Sequence, residues 1–235
     1  MGAYLLAEHV FVCVNDEHVV LLDLKQDRYW ALEASKTAPL SGVVPGWPVQ
    51  DAVVPEDGAA DSQQIIDVLL EQGILDATMG KAATPVRVPT PLHELASADE
   101  YRSAPVGLGT TITFVRASLA AKISLRRGPF DKVIADFAER KRAAGGRSAS
   151  LDLLRTRQLV ETFFRLRIYF FSSKNECLFD SLSLLGFLAR YGIYADWVFA
   201  VQARPFAAHC WVQHEDVVLN DTIEHVGGFT PIMVV

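Results

Sequence analysis

The sequence predicts an α+β protein in two parts, a small strand-rich N-terminal domain and a larger helical domain that closes in a strand hairpin. Three observations carry this prediction. Apolar runs of strand length alternate with Asn-, Asp- and Lys-rich turns over residues 10–32. Apolar residues recur at three- and four-residue spacing across residues 110–190. A Pro-rich stretch between the two patterns shows no periodicity, which sets the expected boundaries at 1–80, a linker over 81–104, and 105–235.

Composition agrees with a packed core. Half of the 235 residues are hydrophobic and 21% are charged, far from the profile of a disordered chain. The formal charge of -6 argues against nucleic acid as a partner, because phosphate contacts need a basic face. No apolar stretch reaches the ~18 residues of a spanning helix. "MGAYLLAEHVFVCV" lacks the basic start of a signal peptide, and Glu8 and His9 break its apolar run. Three widely spaced cysteines, Cys13, Cys177 and Cys210, form no disulfide framework and suit a reducing, cytoplasmic setting. Neither a metal-ligand spacing nor a Gly-rich phosphate loop is present, so no metal and no cofactor is expected on this chain.

The elements follow in order. "VFVCV", "VVLLDL" and "YWAL" read as three strands joined by "NDEH" and "KQDR". "PLSGVVPGWPVQ" (39–50) is too rich in Pro and Gly for a long regular element. "DSQQIIDVLLEQGIL" reads as a helix with Asp61 or Ser62 as its cap, Ile65, Ile66, Leu69 and Leu70 as its apolar stripe, and Gly73 as its stop. Three helices follow the linker, the second opening on Pro129, which suits a first helical turn. "CLFDSLSLLGFLARYG" is then a helix stopped by Gly192, "ADWVFAVQ" a strand, and "AHCWVQHEDVVLND" a hairpin turning at "HED", with His214 in the solvated turn. The charged "RLR" at 165–167 reads as a solvated face.

The chemistry gathers in the last sixty residues. Cys177 stands at a predicted helix start, where the helix dipole favours a thiolate, behind Ser172, Ser173 and Asn175 as possible caps. Taken alone, it fits a small buried hydrophobe better than a nucleophile. His209 lies on the first strand of the hairpin, with Trp211 on the same face by the strand period of two and Cys210 on the other. Asp221 closes the second strand. In an antiparallel pair turning at "HED" it returns to the level of His209, where it can fix the imidazole tautomer. Asp180, three residues beyond Cys177, is a candidate for supporting hydrogen bonds; His225, four beyond Asp221, is a candidate neighbour of the site but reads more readily as lying away from it. A cysteine on a helix tip with a His–Asp pair on adjacent strands makes a consistent nucleophilic triad.

"NECLFDSLSLLGFLARYGI" followed by "VFAVQARPFAAHCWVQHEDVVLND" resembles the C-terminal domain of the lasso-peptide B proteins, transglutaminase-like cysteine proteases that cut the leader from a lasso-peptide precursor. The intervals match too, 177 to 209 and 209 to 221. The resemblance implies a papain-like catalytic domain with Cys177 as nucleophile, His209 as base and then acid, and Asp221 as its orienting partner; Asn175, Asp180 and Trp211, by their positions in the sequence, are candidates to support them. Residues 1–80 are similar in layout to the winged-helix-like RiPP recognition element fused to such proteases. There the leader peptide adds as a strand beside the third strand and lies against the last helix, which implies contacts at Arg28, Tyr29, Trp30, Ile65 and Leu69. The partners so implied are the precursor's leader and an asparagine-synthetase-like cyclase, through which activity would depend on ATP. Two alternatives use the same residues: an acyltransferase of the transglutaminase kind, and a peptide-binding chaperone without activity.

Overall fold

The computed structural model describes residues 4–49, 59–95, 106–144, 152–170 and 176–235, which group into two compact units. The first unit comprises Met1–Arg87 with Ala200–Ala208 and Thr230–Met233; the second comprises Val88–Phe199, His209–Phe229 and Val234–Val235.

In the first unit, β1 (Leu5–Leu6) precedes the predicted meander of β2 (Val10–Asn15), β3 (His18–Asp23) and β4 (Arg28–Glu33). The strands run antiparallel in the order β2-β3-β4, with Asn15 opposite His18 and Asp23 opposite Arg28. The second turn is held by the buried Asp23, whose Oδ1 accepts the Lys25 and Gln26 amides at 2.9 and 3.1 Å. A single helical turn, α1 (Ala34–Thr37), passes into a 3-10 turn over Ala38–Gly42. The Pro/Gly-rich segment after it fills the core without regular structure, for Leu40, Val44 and Trp47 are all buried. Gly46 holds φ at +74°, and a Cβ there would stand 2.6 Å from Thr84 Oγ1, so only glycine fits.

The long helix α2 covers Ala59–Glu71. Asp61 and Ser62 therefore lie inside it instead of capping it, because the helix-favouring Ala59 and Ala60 extend it upstream. It stops where predicted: Gly73 takes φ +68° and the Ile74 amide returns to the Leu69 carbonyl at 2.9 Å. β5 (Leu75–Asp76) then pairs with β1.

Residues 81–95 are not a free tether. The Lys81 amide and carbonyl bond Leu6 at 2.8 and 2.9 Å, and the amide of the buried Ala83 bonds Pro45 O at 2.7 Å. Farther on, β6 (His93–Glu94) joins the sheet of the second unit. A Pro-rich segment has no ladder of its own, and here the amides of Lys81, Ala83, Leu92, His93 and Leu95 bond neighbouring backbone. The division between the units falls at Arg87–Val88, inside "TPVRVPTP". The rest of the expected linker, 96–104, lies outside the described residues.

The second unit holds α3 (Leu108–Arg127), α4 (Phe130–Ala143), α5 (Leu153–Phe170) and α6 (Cys177–Ala189). Pro129 is the N-cap of α4 and not its first helical residue. Phe114, Phe163 and Phe187, from α3, α5 and α6, form the centre of the helical core, with centroids 5.2 to 6.5 Å apart. The remaining strands, parts of which group with the first unit, are β7 (Asp196–Gln202), β8 (Ala207–His214), β9 (Val217–Val218) and, after the short α7 (Ile223–Val226), β10 (Thr230–Val234). With β6 they form one sheet in the order β10-β7-β8-β9-β6. β8 and β9 are antiparallel, with His214 opposite Val217, so the turn is Glu215–Asp216, Glu215 at φ +50°. His214 is the last residue of β8 and is buried, not solvated as "HED" suggests. No described helix is long and apolar enough to cross a membrane.

Candidate active site

Cys177 is the first residue of α6. Leu184, Leu185, Phe187 and Leu188 bury that helix along its length, and a network of polar groups fixes its tip. Ser181 Oγ donates to the Cys210 carbonyl of β8 at 3.3 Å. Asn220 Nδ2 donates to Asp180 Oδ2 at 3.2 Å and Ser181 Oγ at 3.1 Å, while its Oδ1 accepts the Val212 amide at 2.7 Å. Asp180, only 3% exposed, takes a two-oxygen bridge from Arg167 Nη1 at 2.9 and 3.0 Å. Asp180 is thus a buried anchor and not a substrate contact. Burial pushes its carboxyl pKa up against the pull of Arg167. Arg167 is correspondingly no part of a solvated face; it lies over the Phe164 ring at 4.3 Å.

The hairpin register returns Asp221 to the level of His209, and His209 Nε2 meets Asp221 Oδ2 at 2.5 Å. The Thr222 amide and His225 Nδ1 hold the other oxygen, at 2.8 and 2.9 Å. Asp221 engages Nε2 of His209, and the Cys177 thiol takes hydrogen bonds from His209 and from Cys210. Its pKa is lowered to about 4, first by the hydrogen bond from the Cys210 thiol, which outweighs the opposing effect of burial, and then by His209. Burial acts to lower the His209 pKa, but the bonds to Asp221 and Cys177 override it and hold it at about 9. Asp221 is held below the usual carboxylate range, burial being outweighed by its bonds to His209, Thr222 and His225. Between those limits the pair stands as thiolate and imidazolium, the form in which a cysteine attacks a carbonyl.

Around the pair, Trp211 stacks near His209 at 6.0 Å as the strand period predicts, its indole N–H bound to Gln213 Oε1 at 2.8 Å. Phe229 closes the other side at 5.2 Å from His209. His225 lies 4.6 Å from His209, centroid to centroid, and is half exposed, covering Asp221 on its solvent side. His209, Asp221 and His225 bring ligand-type atoms within 4.8 Å of one another, although each ring nitrogen nearest the carboxylate is engaged with it as a hydrogen-bond partner.

Two participants escape the sequence reading. Cys210 points away from His209, as alternation requires, yet α6 packs over that face and brings Cys177 to its thiol. Asn220 carries no signal beyond its place beside Asp221. Ser172, Ser173 and Asn175 lie outside the described residues, and the N-cap, Glu176, makes no side-chain cap bond.

The five residues expected at a peptide-binding face all belong to the first unit. Arg28 stands over the Trp30 ring at 4.9 Å, and Tyr29 packs edge-on to Phe206 at 5.5 Å. Trp30 and Ile65 are half-buried against the core. Leu69 is 2% exposed, so it belongs to the core and is not available to a ligand; its place on the helix stripe turns it inward.

No curated protein and no solved structure matches the sequence significantly. The family model for the transglutaminase-like superfamily, whose members are usually cysteine proteases or acyltransferases, matches residues 115–234. That span holds α6, β8 and the Cys177, His209 and Asp221 constellation, and by it the chain belongs to the transglutaminase-like superfamily.

Proposed function

We propose that the protein is a cysteine leader peptidase of lasso-peptide biosynthesis. The observation that supports it most is the hydrogen-bonded line from Cys177 at the tip of α6 through His209 to Asp221. The Cys177 thiolate attacks the carbonyl carbon of the leader–core amide. The amide of Cys177, a first-turn N–H with no carbonyl of its own helix to bond, faces the developing oxyanion. The His209 imidazolium gives its proton to the departing core amine, and the leader remains as a thioester on Cys177. Neutral His209 then takes a proton from water, hydroxide attacks the thioester, and leader carboxylate and thiolate are released. The freed core α-amine is the group that a partner cyclase of the asparagine-synthetase type would join into a ring.

In this reading the first unit is a RiPP recognition element. β4 is an outer strand of its sheet among the described residues, and Arg28, Tyr29 and Trp30 lie on it. An extended leader would pair with that edge, with backbone bonds giving affinity and side chains giving register.

The test is incubation of the purified protein with a synthetic precursor peptide, read by mass spectrometry. Two shortened products are expected, lost on Cys177→Ala. A crosslinked or amidated product would assign acyl transfer to an amine instead. An intact peptide bound by wild-type and variant alike would assign a chaperone.

A further inference from the structure

α3 has two apolar faces, and the described residues cover only one of them. Phe114, Ala117 and Ala121 are buried, and Ala117 Cβ stands 3.7 Å from the position of a Cβ at Gly186 of α6. On the opposite side Leu108, Ile112, Val115, Leu119 and Ile123 are all exposed, from 38% to 79%. Their spacing of four, three, four and four residues places them within an arc of roughly 80°. The stripe runs along the helix for roughly 22 Å. Single exposed aliphatic residues are ordinary on a protein surface, but a continuous stripe of five large ones is the mark of an interaction face.

Its rim is of one sign. Arg116 and Lys122 flank the stripe on opposite sides, and Arg126 and Arg127 close its C-terminal end; all four are exposed, and α3 carries no acidic residue. This basic rim belongs to a chain whose net charge is -6. Beside the stripe opens a cavity of about 570 Å³ lined mainly by apolar side chains, among them Phe114, Leu119, Phe170 and Phe179, with Lys122 and Arg126 at its border. Glu176, the residue before Cys177, also borders it.

We propose that this face of α3 is a docking site for an amphipathic helix of a partner protein, one with an apolar seam at three- and four-residue spacing, acidic residues flanking the seam, and a bulky apolar side chain for the cavity. The mixed three- and four-residue spacing of the stripe suits a helix–helix seam, in which flanking charges choose the partner. Basic flanks on α3 select acidic ones opposite. A second copy of the chain fits poorly, since α3 against α3 sets basic flanks face to face. The site is built on α3 and on the ends of α5 and α6 that border the cavity, and it is independent of the peptidase reading. Its position beside Glu176 places a docked helix next to the first turn of α6.

The experiment uses the full chain and two synthetic amphipathic helical peptides of about five turns. They share one leucine seam and differ only in flanking Glu or Lys, and binding is read by fluorescence anisotropy. The Glu peptide is expected to bind in the micromolar range and the Lys peptide about tenfold more weakly or worse. Leu119→Asp should weaken the Glu peptide by about tenfold or more. The double variant Arg116→Glu, Lys122→Glu, at solvated positions where folding is unaffected, should reverse the preference. Equal binding of both peptides, no binding of either, or a preference unmoved by the charge reversal overturns the proposal. Self-association abolished by Leu119→Asp also overturns it, by assigning the stripe to a second copy. Adsorption to anionic vesicles without Glu-peptide binding overturns it in favour of a membrane surface.

Discussion

Cys177 and His209 shift in opposite directions from their ordinary values, and the two shifts define a working pH range. The thiolate persists above about 4 and the imidazolium below about 9. The ion pair is the attacking form, so kcat/KM for peptide cleavage should trace a bell whose limbs fall near those values and belong to the pair as a whole. Asp221 holds the imidazolium; Asp221→Asn should therefore move the alkaline limb to lower pH and reduce kcat, whereas a limb that stays in place removes Asp221 from its role. The same holds in stability: a histidine whose pKa is raised on folding contributes fully below its ordinary value of 6.5, and that contribution is lost as pH rises through about 9. His225 bonds both Asp221 oxygens, at 2.9 and 3.1 Å. Removing it in His225→Ala should lower kcat by about tenfold, the lower end of the scale of one charge-assisted hydrogen bond, with KM little changed. An unchanged kcat would show that the Thr222 amide and His209 suffice to hold the carboxylate.

At the scale of elements, the tip of α6 keeps its place because Asp180, Ser181, Asn220 and Arg167 tie it to β8 and α5. Arg167→Ala leaves a buried carboxylate without its cation and should cost about 3–5 kcal/mol, read as a fall in the denaturant midpoint. If Arg167→Ala unfolds at the wild-type midpoint, the bridge is not the anchor. This network also marks where the sequence stops being legible. α6, its stop at Gly192 and the hairpin that brings Asp221 back to His209 could be read from local periodicity, because each is defined by residues close in the chain. Gly192 takes φ +77°, which is a local requirement of the same kind. Arg167 looked solvated and Asp180 ambiguous, because their pairing joins two helices. Leu69 shows a related limit: helical spacing identifies a stripe but not what covers it, and here the core does. The exposed stripe of α3 is the converse case, an apolar periodicity that nothing among the described residues buries.

At the scale of the whole chain, the sequence suggests a domain that ends near residue 80, but the first unit is not contiguous. Ala200–Ala208 and Thr230–Met233 group with it. The Asn15 side chain accepts the Ala203 amide at 2.7 Å and donates to Thr230 Oγ1 at 2.8 Å, and Tyr29 packs on Phe206 at 5.5 Å. No local signal links Asn15 to a residue 215 positions away, so this closure could not be read in advance. A fragment of residues 1–87 would lose both hydrogen bonds and the ring contact. At about 1 kcal/mol for each, the loss is about 2–4 kcal/mol, a large share of what a domain of this size commands. The fragment should therefore melt well below the full chain, by roughly 4–8 °C for each kcal/mol lost. Asn15→Ala in the full chain should reproduce part of that loss. Because Tyr29 lies on the strand proposed to receive the leader, the fragment should also bind a labelled leader peptide more weakly than Cys177→Ala of the full chain does. A fragment with undiminished melting temperature and leader affinity would show that residues 1–87 form a self-sufficient domain and that the returning segments only rest against it.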